Sequence, residues 1–180
     1  MYGLVNIAIR DMVIEGYGVK TWDAIRRKAG VEVDNFVSMQ DYPDEVTYKL
    51  VGAGSAVLDL PTDKILFGFG EYWVPWQKAY GDLMSTTGGT LPDFVENLND
   101  LHVRLALIMP NLKPPRFECT NRSKNSIDLH YFSERPGLAP FVEGVLSGLG
   151  QLFQCEVSID HIATRNSEGA DHDIFRLKWQ

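Results

Sequence analysis

The chain has 180 residues, 44% of them hydrophobic and 11% aromatic, enough to bury the core of one domain. Its 17 Lys and Arg against 24 Asp and Glu give a net charge of −7 without any basic stripe, which excludes a nucleic-acid footprint. It carries no run of about eighteen apolar residues and no basic-then-apolar leader, so a soluble cytoplasmic domain with no membrane attachment is expected.

At the N-terminus, Leu4, Val5, Ala8, Ile9, Met12 and Val13 fall on one broad helical face, with Gly16 and Gly18 as a stop. Thr21 is a cap for a short second helix that buries Trp22, Ile25 and Ala29 and closes at Gly30. Residues 44–58 predict a third helix. Gly52, Ala53 and Gly54 in its middle lack the Lys-Ser/Thr and preceding strand of a phosphate loop, so close helix packing is their better account. Thr62 then caps a helix whose apolar face is aromatic: Ile65, Leu66, Phe69, Trp73 and Trp76. Such a stripe is ordinary core material, yet its density also suits the wall of a chamber for something large and flat.

Residues 91–117, LPDFVENLNDLHVRLALIMPNLKPPRF, organise the rest. Pro92 suits a first helical turn, and Phe94, Val95, Leu98, Leu101, Leu105 and Ile108 recur at helical spacing. His102 lies one turn from Leu98 and one from Leu105, so its imidazole borders the apolar face. There it is either a core histidine satisfied by one hydrogen bond or a metal ligand. Pro110, Pro114 and Pro115 end the helix and stiffen the segment that leads out of it.

Beyond the prolines, RFECT and SIDLHYF alternate as strands. GLAPFVEGVLSGLGQLF is a mostly apolar helix, and CEVSIDHIAT and HDIFRLKW form a hairpin across the turn-rich NSEGAD. The order of elements, several helices and then a small antiparallel sheet crossed by one helix, predicts an α+β domain. Cys119 and Cys155 have no metal-type spacing and are expected to remain thiols. In an extended chain Tyr131, Ser133 and Arg135 share one face, lining up a phenol, a hydroxyl and a guanidinium fork. That row is a receptor for carboxylates or phosphate, unless Arg135 merely pairs with Glu134 or Glu143. One axial nitrogen, a large apolar slot and donors for paired carboxylates are together what haem requires.

These residues resemble the H-NOX family, the haem–nitric oxide/oxygen-binding domains that include the sensor region of soluble guanylate cyclase. The resemblance spans the chain: MYGLVNIAIRDMV, FGEYWV, LHVRLALIMPNLKPPRFECT, LHYFSERPGL and DHDIFRLKW. It implies haem b between a helical N-terminal subdomain of about residues 1–60 and a subdomain of about 61–180 with the antiparallel sheet, with His102 as the proximal iron ligand beside Leu98, Leu101 and Leu105. Tyr131, Ser133 and Arg135 would bind the propionates, while Pro115 and Pro114 would press the porphyrin from planarity. Zinc, which some members bind through cysteines, is not expected, because the region holding His161 and His172 has no Cys. Those two histidines are expected at the hairpin surface, and His130 is expected to face away from the haem.

By the same resemblance the distal wall includes Val5, Ile9, Trp73, Phe141 and Val145. Oxygen-binding members carry a distal tyrosine where this chain aligns Phe141. A hydrogen bond to a charged acceptor is worth ~1.5–3 kcal/mol, roughly ten- to a hundredfold in O₂ affinity. A sensor selective for NO, also binding CO, is therefore expected. Trp73 as a distal donor would instead give an O₂-binding protein. The implied signal is loss of the His102–iron bond and a subdomain shift, read by a separate partner, a histidine kinase or a cyclic-di-GMP enzyme. An enzyme such as a haem peroxidase or nitrite converter would need a distal base that this apolar wall lacks. A lipid or acidic-ligand module, with His102 merely buried, would be colourless.

Overall fold

In a computed structural model, which describes residues 1–80, 87–165 and 170–180, the chain folds as a helical N-terminal part followed by a part containing an antiparallel sheet. The helices are α1 (Gly3–Tyr17), α2 (Val19–Ala29), α3 (Asp44–Leu58), α4 (Thr62–Tyr80), α5 (Leu91–Glu96), α6 (Leu98–Ile108) and α7 (Ala139–Leu152). The strands are β1 (Arg116–Thr120), β2 (Ser126–Phe132), β3 (Val157–Ala163) and β4 (Asp173–Trp179), in the order β1-β2-β4-β3 with every pair antiparallel. This is the α+β order that the sequence predicts. The tip of the β3–β4 hairpin falls largely outside the described residues.

Local boundaries differ from expectation at three places, the first being α4, which starts at Thr62 itself, the residue expected to cap it. Gly18, at φ 84°, ends α1 and starts α2 in one step, so Thr21 lies inside α2, where its hydroxyl donates to the Tyr17 carbonyl instead of capping. The helix expected through residues 92–108 is broken at Asn97 (φ −96°, ψ 10°) into α5 and α6. Asn97 Nδ2 donates to the Thr87 carbonyl at 3.0 Å, a tether from outside the helix that its periodicity could not announce. Thr90 caps α5, its hydroxyl oxygen accepting from the Asp93 N–H.

Apolar burial forms two clusters. One joins α1–α4 through Ala8, Ile9, Val13, Trp22, Ile25 and Leu50. The other packs α5–α7 on the inner face of the sheet through Phe94, Leu146, Leu149, Leu129, Phe175 and Leu177. Helix α4 serves both, giving Leu66 and Phe69 to the first and Val74 to the second. It also packs backbone to backbone on α7. A Cβ on Gly144 would lie 2.0 Å from the Phe67 carbonyl oxygen, and one on Gly70 would lie 2.3 Å from that of Phe141. The strands alternate as read: Phe117, Leu129, Tyr131, Phe175 and Leu177 point into the core, and the polar partners point out. On the outer face Asp128 accepts a two-pronged bond from Arg176 across the β2–β4 ladder, at 2.7 and 2.8 Å. No helix among the described residues is long and apolar enough to cross a membrane.

Candidate functional site

Between the two clusters lies a cavity of about 580 Å³. Every residue singled out above for the site lines it: His102, Leu98, Leu101, Leu105, Pro114, Pro115, Tyr131, Ser133, Arg135, Val5, Ile9, Trp73, Phe141 and Val145. They come from α1, α4, α6, α7, the loop before β1 and the end of β2, so the fold brings together residues up to 140 positions apart.

His102 projects from the apolar side of α6, half-buried, with its ring nearly parallel to Phe117 (centroids 5.7 Å apart, 21°). Nδ1 is buried and makes no hydrogen bond of ordinary geometry. Burial holds the imidazole pKa below its usual value, with the Pro115 carbonyl pulling weakly the other way. The ring is therefore neutral at neutral pH and offers a lone pair, the form that binds metals.

Tyr131 is buried, and burial raises its phenol pKa, with the Ser133 hydroxyl working against that, so it stays a donor. The expected single strand face stops short, because β2 ends at Phe132. Ser133 and Arg135 reach the cavity through a turn in which the Ser133 hydroxyl accepts from the Arg135 N–H at 3.1 Å. Arg135 pairs with neither Glu134 nor Glu143. Its Nε donates to Asp44 Oδ2 at 2.7 Å, and an Nη donates to the Lys113 carbonyl at 2.7 Å. Asp44 was not legible as part of this rim, nor was Tyr48, whose hydroxyl donates to the Pro136 carbonyl at 2.9 Å.

Another part of the wall is aromatic. Phe141 lies 5.2 Å from Phe69 and 6.2 Å from Trp73 by ring centroids, and Trp73 stacks on Trp76 at 5.6 Å. The Trp76 indole donates to Asp11, whereas the Trp73 indole makes no hydrogen bond among the described residues. The Tyr2 hydroxyl accepts from the Asn111 N–H at 3.0 Å, joining the start of the chain to the exit of α6. Phe117 and Gln77 also line the cavity and were missed; Phe117 sits at the inward position of an alternating RFECT strand and could have been found. His130 lies on the opposite sheet face from Tyr131 and outside the cavity. His161 and His172 are more enclosed than surface hairpin residues: His161 sits between Asp173 and Glu143, and His172 against His130.

Comparison with known proteins agrees with this geometry. The haem–NO-binding family model matches residues 2–161. The chain is 31% identical over 180 residues to the soluble guanylate cyclase gcy-31 of Caenorhabditis elegans, covering 98% of this chain and 26% of the cyclase. It is 24% identical to guanylate cyclase 89Db of Drosophila melanogaster, covering 85% and 23%. The chain thus spans about a quarter of the length of these relatives. In fold it superposes on an H-NOX protein from S. oneidensis, crystallised in the Fe(II)NO state, with a TM-score of 0.90 at 23% identity over 100% of this chain and 99% of that one. An unliganded Fe(II) H-NOX mutant from K. algicida gives 0.85 at 21% identity, covering 100% and 97%. H-NOX domains bind haem and are sensor domains. Matched over nearly its whole length, this chain belongs to the haem–NO-binding, or H-NOX, family.

Proposed function

We propose that residues 1–180 form one cytoplasmic haem-b domain that senses NO, and also binds CO, and signals to a separate protein. The observation that carries this is His102: a neutral imidazole with an orphaned Nδ1, lining an apolar cavity that Tyr131, Ser133 and Arg135 also line. Residues of these kinds fit haem, with nitrogen for iron, an apolar slot for porphyrin and donors for carboxylates. His102 would hold the haem by its iron and Tyr131, Ser133 and Arg135 by its carboxylates, and the haem would supply a metal that binds a diatomic gas. The remaining work is the protein's own. His102 tethers α6, Pro114 and Pro115 stiffen the chain against the slot, and the aromatic wall of Phe69, Trp73 and Phe141 keeps water out.

Release of His102 would free α6, and Tyr2 would pass that movement to α1 through the Asn111 N–H. A subdomain of about residues 1–60 would then shift against one of about 61–180. One bond biasing two arrangements is the physical requirement for a switch. The partner is a histidine kinase or a cyclic-di-GMP enzyme acting in trans.

Absorption spectra of the reduced protein, alone and under air, CO and NO, test the reading. Expected are a five-coordinate NO spectrum, a CO complex and no stable oxy form. His102→Ala should abolish the five-coordinate ferrous spectrum, and added imidazole should restore it; a protein that takes up no haem would end the proposal. A second reading, O₂ binding with Trp73 as donor, draws on the indole's place in the cavity wall with no hydrogen bond among the described residues. A stable oxy spectrum lost in Trp73→Phe would favour it.

A further inference from the structure

Two imidazoles meet on the outer face of the sheet, away from the cavity. His130 on β2 and His172, one residue before β4, are half-buried, with His130 Nδ1 2.7 Å from His172 Nε2. Their other nitrogens are also engaged. His130 Nε2 lies 2.8 Å from the Thr120 hydroxyl, and His172 Nδ1 lies 2.5 Å from Asp171 Oδ1. The Phe132 ring stacks on His172 at 4.0 Å and limits its rotation.

The protons in this chain of contacts can be assigned. A carboxylate only accepts, so His172 Nδ1 carries the proton donated to Asp171, and Nε2 of the neutral ring is a lone pair. His130 Nδ1 must then supply the proton between the rings, leaving its Nε2 to accept from Thr120. Two ring nitrogens thus converge on one proton.

We propose that His130 and His172 form a site for a borderline divalent transition-metal ion of the zinc class, which replaces the proton held between the two rings. On binding, the His130 proton moves from Nδ1 to Nε2, and the Thr120 hydroxyl turns from donor to acceptor. No net proton is released, and both facing nitrogens become ligands. His172 keeps a carboxylate behind its other nitrogen, the arrangement that fixes the tautomer of a metal-bound imidazole and strengthens it as a ligand. Imidazole pairs suit zinc, copper and nickel.

At metal–nitrogen distances of about 2.0–2.1 Å, tetrahedral ligand nitrogens sit roughly 3.3 Å apart, so the rings need to part by about half an ångström. Among the described residues no third His, Cys, Asp or Glu already completes the site. The remaining positions fall to water, or to Glu118 after side-chain rotation, while Asp171 stays on His172 Nδ1. Arg116 also faces the cluster, but it is engaged by Glu118 and lies 3.7 Å over the Phe132 ring. His161 is not a member: its nitrogens lie 3.4 Å from Glu143 and 2.9 Å from Asp173.

Equilibrium dialysis of the purified full chain against zinc tests the site. One zinc per chain is expected. His130→Gln and His172→Gln should each weaken binding by at least about tenfold, and His161→Gln should leave it unchanged. Nitrogen-15 imidazole spectra of the unmodified chain remove any dependence on variant folding, because saturation with zinc should move the His130 proton from Nδ1 to Nε2. No zinc uptake, uptake that survives both substitutions, uptake lost in His161→Gln, or a His130 tautomer unchanged by zinc would each overturn the assignment.

Discussion

Arg135 and Asp44, 91 positions apart, are joined by two hydrogen bonds, Nε to Oδ2 at 2.7 Å and Nη to Oδ1 at 3.3 Å. Asp44 opens α3, and its other contact is the N-terminal amine of Met1 at 2.7 Å. A carboxylate of the protein therefore meets the guanidinium at the rim where, in the proposed function, a haem carboxylate arrives. Any change of partner at Arg135 is felt directly at α3 and at the start of α1.

The first prediction concerns that exchange. A charge-assisted hydrogen bond contributes about 1.5–3 kcal/mol, which corresponds to roughly ten- to a hundredfold in a dissociation constant. Arg135→Ala should speed haem transfer to an excess of apomyoglobin by at least about tenfold. Arg135→Lys should fall between, since it keeps the charge and loses the fork. Asp44→Asn should slow the transfer, because it leaves the guanidinium undivided. Equal rates for all four proteins would remove Arg135 from carboxylate binding.

Acid stability is the second. Burial alone would raise the Asp44 pKa, but hydrogen bonds from Arg135 and the N-terminal amine outweigh it and hold the group below the ordinary carboxylate value. A carboxyl depressed in the folded state contributes stability above its unfolded pKa and loses it as pH falls through the folded one. Asp44→Asn should therefore flatten the fall in stability below about pH 4. Near neutrality the slope of stability against pH should be unchanged. The side chain is 38% exposed, so solvent screening keeps the effect modest.

Period made part of the molecule legible in its sequence. Helical spacing places His102, Leu98, Leu101 and Leu105 on one face, and strand alternation turns Tyr131 inward and His130 outward. Contacts between remote segments leave no such trace. Asn97 breaks its helix because of the Thr87 carbonyl, and Asp44 meets Arg135 only once α3 packs near the end of β2. Strand alternation carried past Phe132 puts Ser133 and Arg135 on the face of Tyr131. They reach the same cavity by a turn instead, because side-chain direction past the last ladder pair is set by local hydrogen bonds such as Ser133 to Arg135. Haem is legible only from the imidazole and the donor row taken together, since the spacing of either one alone leaves its role ambiguous.

The third prediction tests the backbone contact behind the aromatic wall. A Cβ at position 144 would sit 2.0 Å from the Phe67 carbonyl oxygen, and backbone cannot yield as a flexible side chain can. Gly144→Ala should destabilise the fold by about 1–3 kcal/mol, the usual cost of overpacking. It should also perturb gas binding, since Phe141 and Val145 flank the strained turn of α7. Gly52→Ala is the control: nothing lies within 4 Å of its Cβ position, and the better helix propensity of Ala should leave stability equal or slightly higher. Thermal unfolding of the two variants should separate them clearly.

The last prediction turns on Phe141. Its ring borders the cavity between Phe69 and Trp73 and brings no polar hydrogen to it. Bound O₂ draws negative charge and profits from a donor, whereas NO binds ferrous haem with little such help. Phe141→Tyr adds one hydroxyl to a ring that keeps its neighbours, so the fold should tolerate it. A phenol reaching the bound gas should improve O₂ affinity roughly ten- to a hundredfold and make an oxy spectrum observable in air. NO affinity should change far less. If the Tyr variant binds O₂ no better than the unmodified chain while Trp73→Phe weakens it, the donor sits on α4, and the selectivity argued from position 141 fails.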